Sequence, residues 1–178
     1  MSFYTQKELA NLGLKAFGKN VLISNKCSFY GAENITLGND VRIDDSCILS
    51  GKINIGSNVH IGAFCALFAG EAGIVMGDYS GLSSGVRIYA VSDDYSGNYL
   101  TNPTVPVQFR NVQAKQVVLE KHVIVGAGSI ILPGVEIGEG GAVGAMSLVT
   151  KSVHAWTIVT GNPARHLKNR SKKLLDLI

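Results

Sequence analysis

Aliphatic residues return every six positions through 117–151, at Leu119, Val125, Ile131, Ile137, Val143 and Val149. Two places before each anchor stands a β-branched or small residue: Val117, Val123, Ser129, Val135, Gly141 and Ser147. Gly126, Gly138 and Gly144 directly follow anchors and offer a backbone that turns sharply. Neither the 3.6-residue period of a helix nor the two-residue period of a strand gives a sixfold beat. A parallel β-helix does, because each hexad lays down one short strand and one corner. Three hexads then close one coil, and the fold class expected is all-β.

The same beat begins upstream at Leu37, Ile43, Leu49, Ile55, Ile61 and Leu67. The next anchor, Met76, comes nine residues on, so three extra residues should bulge out at 71–73 before Leu82 and Ile88 restore the register. This predicts five successive coils, over 37–49, 55–67, 76–88, 119–131 and 137–149, preceded by irregular hexads anchored at Ile23 and Phe29. At the start, Thr5 and Glu8 read as a capping box. It opens a short helix stopped by Gly18, which covers the open edge of the first coil.

After Lys151 the pattern predicts an extended 155–160, a turn at Gly161-Asn162-Pro163 and a final helix over 164–177. Leu167, Leu174 and Leu177 would form its apolar face, with Arg165, Lys168, Arg170, Lys172 and Lys173 elsewhere. A membrane-surface helix is one reading of that charge run; the short apolar stripe favours a cap with a solvated basic face. The organisation expected is a single domain over 1–178: a helical cap at 1–20, the β-helix over 21–152, and an extension with helix at 153–178. Only between 90 and 116 does the beat lapse, into a long polar loop of the kind that more often carries function than accident.

Composition narrows this further. The 21 glycines against 4 prolines suit tight corners, and a net charge of +3 with 7% aromatics gives no sign of nucleic acid. No apolar run is long enough to span a bilayer, and the first ten residues lack the order of a signal peptide, so the expected compartment is cytoplasmic without membrane insertion. Cys27, Cys47 and Cys65 each stand two residues before an anchor and should stack at one inward corner, continued by Val86, Ser129 and Ser147. A metal or redox role is the alternative, but no CxxC pair or histidine cluster supports it, and no metal is expected.

The sixfold repeats, the one extruded loop and Val149-Thr150-Lys151 with Gly161-Asn162-Pro163-Ala164-Arg165 together resemble the hexapeptide-repeat acyltransferases. Within them, 123–151 is similar to the galactoside and maltose O-acetyltransferase branch. The resemblance implies a left-handed parallel β-helix, although general crossover chirality favours the other hand. It also implies homotrimers with sites between subunits, acetyl-CoA as co-substrate, and a sugar or nucleotide-sugar acceptor. The CoA positions it carries over are Gly126, Ala127, Ala145, Thr150 and Lys151, with Arg165 and Lys168 near the phosphates.

Such chemistry needs a base for the acceptor's proton and a donor for the thioester oxyanion. In the O-acetyltransferases that base is a histidine early in the loop, but the corresponding place here is Ser92-Asp93-Asp94, and 91–116 holds no histidine. Asp94 is therefore the candidate for contacting the acceptor, and His60 of an adjoining subunit the candidate base, matched in pKa to the task. With an amine acceptor a carboxylate could suffice, and 92–97 could instead be an Asx-type turn that only shapes the loop. Asp93, Tyr95 and Glu71, in the bulge, are the substrate-binding candidates; a solvated turn carboxylate is the plain alternative for Glu71. His122 is expected outward at a corner, and His154 and His166 at the surface. A non-catalytic trimeric scaffold that has lost the loop histidine is the rival class. A zinc-dependent carbonic anhydrase of this fold lacks its ligand spacing.

Overall fold

The computed structural model describes residues 2–177. Met1 and Ile178, the outermost residues of the two terminal segments read from the sequence, lie outside the described residues. The chain winds as a triangular β-solenoid, one strand per hexad, each paired in parallel with its counterpart in the next coil. One face stacks Ala16–Phe17, Ile35–Leu37, the ends of Ile48–Ile55 and Ala66–Met76, Val117–Leu119 and Glu136–Ile137. A second runs Leu22–Ile23, Arg42–Ile43, His60–Ile61, Gly81–Leu82, Ile124–Val125, Ala142–Val143 and Thr157–Thr160. The third carries Ser28–Tyr30, the starts of Ile48–Ile55 and Ala66–Met76, Arg87–Tyr89, Ile130–Ile131 and Leu148–Val149. The second face thus extends the five coils read from the sequence by one at each end.

All the regular anchors point inward, and each is at most 4% exposed. Their regularity follows from the corner. Each hexad must turn in one or two residues, and a left-handed backbone does this cheaply for Asn, Asp or Gly. Asn20, Asp40, Asn58, Tyr79, His122 and Trp156 all carry positive φ at one corner. Ser46, Phe64 and Met146 do so at the next, together with Gly85 and Gly128. The inward small residues of that second corner form a hydrogen-bond ladder. The thiols of Cys27, Cys47 and Cys65 donate to the carbonyls of Asp44, Gly62 and Ser83 at 3.1–3.2 Å. The hydroxyls of Ser129 and Ser147 donate to Gly144 at 3.0 and 2.7 Å. The cysteines are free, buried thiols, and Cys27 is pushed far up from the usual thiol value by its neighbour Cys47 and by burial.

Register breaks where the sequence says it should. Ser50 pairs with Phe68, Gly51 with Gly70 and Ile53 with Ile74, so the extra residues are taken up around Glu71-Ala72-Gly73. Both ends differ from expectation. The capping box forms, but the helix covers only Gln6–Asn11. Ala16–Phe17, expected inside it, is a strand on Ile35–Leu37, because the open edge of the first face offers it a full set of partners. The C-terminal helix is absent. Arg165–Asn169 is a strand that doubles back antiparallel on Thr157–Thr160, followed by a 3-10 turn at Lys173–Leu177. The exposed edge of the last coil claims that segment, leaving Leu167 and Leu177 at the surface rather than on a buried stripe.

Arg170 fastens this tail. Its Nη1 donates to the carbonyls of His122 at 2.8 Å and Gly140 at 3.0 Å, and lies 3.4 Å from that of Gly141. Lys172 sits over the Trp156 ring at 5.6 Å. His122 is not outward as expected but 8% exposed, because aromatic rings of neighbouring corners cover it. It stacks on Tyr79 (5.2 Å, 9°) and faces Trp156 at 6.4 Å. Glycine at 140 makes this column possible, since a Cβ there would stand 2.5 Å from the indole.

Candidate active site

Two clefts gather the candidate residues. The larger, about 690 Å³, opens at the root of the extruded loop. Val91–Ser92 and Gln113–Ala114 pair antiparallel to form the loop's stem, which leaves the corner after Tyr89. Phe68 and Tyr89, stacked at 5.2 Å on neighbouring coils, form the wall with Leu132; Ser92, Asp93, Tyr95 and Arg110 supply polar atoms. Asp93 Oδ2 accepts from the Asn102 amide at 3.1 Å, while Tyr95 is 92% exposed. Glu71 is exposed on the bulge, beside the stem: a Cβ on neighbouring Gly70 would touch Val91. Asp94 turns inward, only 8% exposed, with Oδ1 accepting the Ser96 amide at 2.7 Å and Oδ2 accepting Asn111 Nδ2 at 2.8 Å. Those bonds to Ser96 and Asn111 hold its carboxyl below the ordinary carboxylate value, so it is an anion that orders the loop. The Asx-type turn is real.

The smaller cleft, about 310 Å³, lies on the second face and its corner, lined by Asp44, His60, Gly62, Gly81, Leu82, Ser83, Ser84 and Ile124. His60 points outward, as its register requires, and its Nε2 lies 2.9 Å from Asp44 Oδ2. Arg42 Nε donates to the other carboxylate oxygen at 2.8 Å. Burial pushes Asp44 up, but the hydrogen bonds from Arg42 and His60 outweigh it and hold it below the ordinary carboxylate value. When Nε2 carries the proton toward Asp44, Nδ1 keeps a lone pair able to accept one. Within one chain the structure does not bring His60 and Asp94 together: the loop and the His60 cleft belong to different corners.

The CoA candidates also divide. Gly126, Ala127 and Ala145 share the corner beside Ser84, where a Cβ at 126 would strike the Ala145 amide at 2.5 Å. There the Ser84 carbonyl accepts Gly128 N, and that of Ala127 accepts Met146 N. Thr150, Lys151 and Arg165 line one groove at the end of the solenoid, with Lys168 two pairings further along the same strand. Ser84, not a candidate from the sequence, lies on the corner of Gly126, Ala127 and Ala145 too. Nothing in the sequence marks it; the fold exposes it there, one coil before Ala127. Among the described residues no group of three or more His, Cys, Asp or Glu could hold a metal, and no helix is long and apolar enough to cross a membrane.

A hexapeptide solenoid interrupted by one long extruded loop defines a class. The chain belongs to the hexapeptide-repeat acyltransferases, and it is an enzyme of acyl transfer rather than a bare scaffold. Over 180 residues it is 44% identical to the dTDP-4-amino-4,6-dideoxy-D-glucose acyltransferase of Escherichia coli, covering 99% of this chain and 93% of that one. AntD, an N-acyltransferase from Bacillus cereus, has been solved with dTDP and 3-hydroxybutyryl-CoA; it is 54% identical, with TM-score 0.97 over 99% of this chain and 94% of its own. AntD has also been solved as an S84C mutant with dTDP-4-amino-4,6-dideoxyglucose and coenzyme A, and as a D94N mutant with dTDP and coenzyme A. A maltose O-acetyltransferase from Clostridium difficile 630 shares the fold at 23% identity, with TM-score 0.62 over 94% of this chain and 75% of that one. No family model matches the chain.

Proposed function

We propose that this enzyme transfers a short acyl group from acyl-CoA, with acetyl-CoA among its donors, to the amine of a dTDP-4-amino-4,6-dideoxyhexose in the cytoplasm. The observation that carries this is the end-to-end likeness to two enzymes named for or crystallised with that acceptor, over 99% of the chain and so including the loop. The residues agree with an amine. A neutral amine attacks a thioester unaided, so a loop with a carboxylate in place of the histidine that serves hydroxyl acceptors suffices for it.

In this reading the subunits form a homotrimer and the acceptor lies between the loop of one and the His60 cleft of the next. Asp94 and Asp93, with Tyr95 and Glu71 nearby, hold the sugar. The amine nitrogen forms a bond to the thioester carbon as the carbonyl electrons move to oxygen, where the Ser84 hydroxyl can donate a hydrogen bond. Collapse re-forms the carbonyl and breaks the carbon–sulfur bond. The nitrogen's proton passes through His60 Nδ1 to the departing thiolate, leaving an amide and free CoA. Ser84 and Asp94 stand here at the numbers of the AntD substitutions.

The test is release of CoA thiol from acetyl-CoA with dTDP-4-amino-4,6-dideoxyglucose, against dTDP-glucose and maltose as hydroxyl acceptors. Turnover with the amino sugar alone is expected. Equal turnover with maltose would overturn the acceptor assignment, and a monomeric mass at micromolar concentration would overturn the shared site.

A further inference from the structure

Seven outward positions run up the second face: Leu22, Arg42, His60, Gly81, Ile124, Ala142 and Ile158. Six carry side chains. Gly81 lies in register between His60 and Ile124, in a strand, where glycine costs backbone entropy and contributes no packing. Its conformation does not demand glycine, for its φ lies outside the left-handed region. Nor does the chain's own packing. A Cβ at 81 would meet only the His60 carbonyl oxygen, at 3.7 Å, which is ordinary contact. Elsewhere at this site glycine is enforced: a Cβ at 62 would stand 2.9 Å from the Ser84 amide, and one at 126 would stand 2.5 Å from that of Ala145.

A glycine that neither the backbone nor the neighbours require leaves room for something outside the chain. The room it leaves is the floor of the 310 Å³ cleft, with His60 on one side, Ile124 (47% exposed) on the other and Ser84 at the rim. We propose that Gly81 sets the size of the acyl group transferred: the notch between His60 and Ile124 takes the acyl chain beyond its carbonyl carbon. The inference rests on the reading of this cleft as the place of the thioester. The notch is apolar toward Ile124, and polar toward His60, Ser83 and Ser84. A chain longer than acetyl that bears a hydroxyl, such as the 3-hydroxybutyryl group solved with AntD, would meet both sides, whereas acetyl would leave the notch part empty.

The experiment compares the full-length wild type with Gly81→Ala and Gly81→Val. Binding of CoA, acetyl-CoA and 3-hydroxybutyryl-CoA is measured by calorimetry without any acceptor, followed by kcat/KM with each donor. The wild type should bind 3-hydroxybutyryl-CoA at least as tightly as acetyl-CoA. Gly81→Val should keep CoA and acetyl-CoA affinity and lose 3-hydroxybutyryl-CoA by about tenfold or more, the discrimination a filled apolar pocket gives. Gly81→Ala should fall between. Should the valine variant melt early, the ratio of the two donors in the alanine variant decides. Equal losses for both donors, or no change in their ratio, would overturn the proposal. Because the binding arm uses no sugar, a wild type that binds both donors yet acylates no dTDP-amino sugar sinks the acceptor reading alone.

Discussion

His60 Nε2 lies 2.9 Å from Asp44 Oδ2, a carboxylate only 8% exposed and held on its other oxygen by Arg42. Such a carboxylate fixes the ring that faces the cleft. Asp44→Asn keeps the shape but removes the charge that orients and stabilises a protonated imidazole. It should lower kcat by about tenfold or more with little effect on CoA affinity. Its folded pKa lies below that of the unfolded chain, so its contribution to stability is complete above the unfolded value near 4 and is lost as pH falls through the folded one. Acid unfolding of Asp44→Asn should therefore be the shallower of the two below about pH 4. Unchanged kcat in this variant, measured on the true acceptor, would remove the pair from the mechanism.

Ser80 holds the inward place that valine holds on four other coils, at Val21, Val41, Val59 and Val123. Its hydroxyl is buried and finds no hydrogen-bond partner among the described residues. Restoring the column with Ser80→Val should stabilise the fold by about 1–2 kcal/mol, read as a higher Tm. A lower Tm would show that the hydroxyl is satisfied after all.

Arg165 and Lys168 extend from the exposed tail strand beside the groove of Thr150 and Lys151. If they meet the 3′-phosphate, replacing both by Ala should weaken CoA more than 3′-dephospho-CoA, and the difference should shrink as salt rises. Equal losses for the two ligands would place the phosphate elsewhere.

Arg170→Ala should free the tail. It strips a cationic donor from the carbonyls of His122 and Gly140, a loss of about 1.5–3 kcal/mol. Hydrogen exchange across Thr157–Thr160 should quicken in step. A lysine at 170 should rescue only partly, since it lacks the planar fork.

The coils were legible because the sixfold period is dictated by strand length and corner geometry, both local. Hence the anchors, the three-residue insertion at 71–73 and the stacked cysteines all appear where the residues place them. The two ends were not legible, because there an edge elsewhere in the chain decides. Residues 164–177 have a fair helical pattern, yet Thr157–Thr160 offers unpaired backbone groups that outbid it. His122 was misjudged for the same reason: nothing near it in sequence reveals that Trp156 waits beyond Gly140. Of the candidate site, Asp94 and His60 fall in or beside clefts, while Ser84, a small hydroxyl on a corner, has no local pattern to mark it.

The reversed tail strand has a consequence for the size of the molecule. A solenoid of identical coils has no built-in length. Its last parallel edge is a template on which the first coil of another copy could seat, and so on without limit. Arg165–Asn169 occupies that edge in the opposite sense and turns Arg165, His166 and Lys168 toward water. The same charged strand that borders the groove of Thr150 and Lys151 thus closes the last edge of the second face to a further parallel strand.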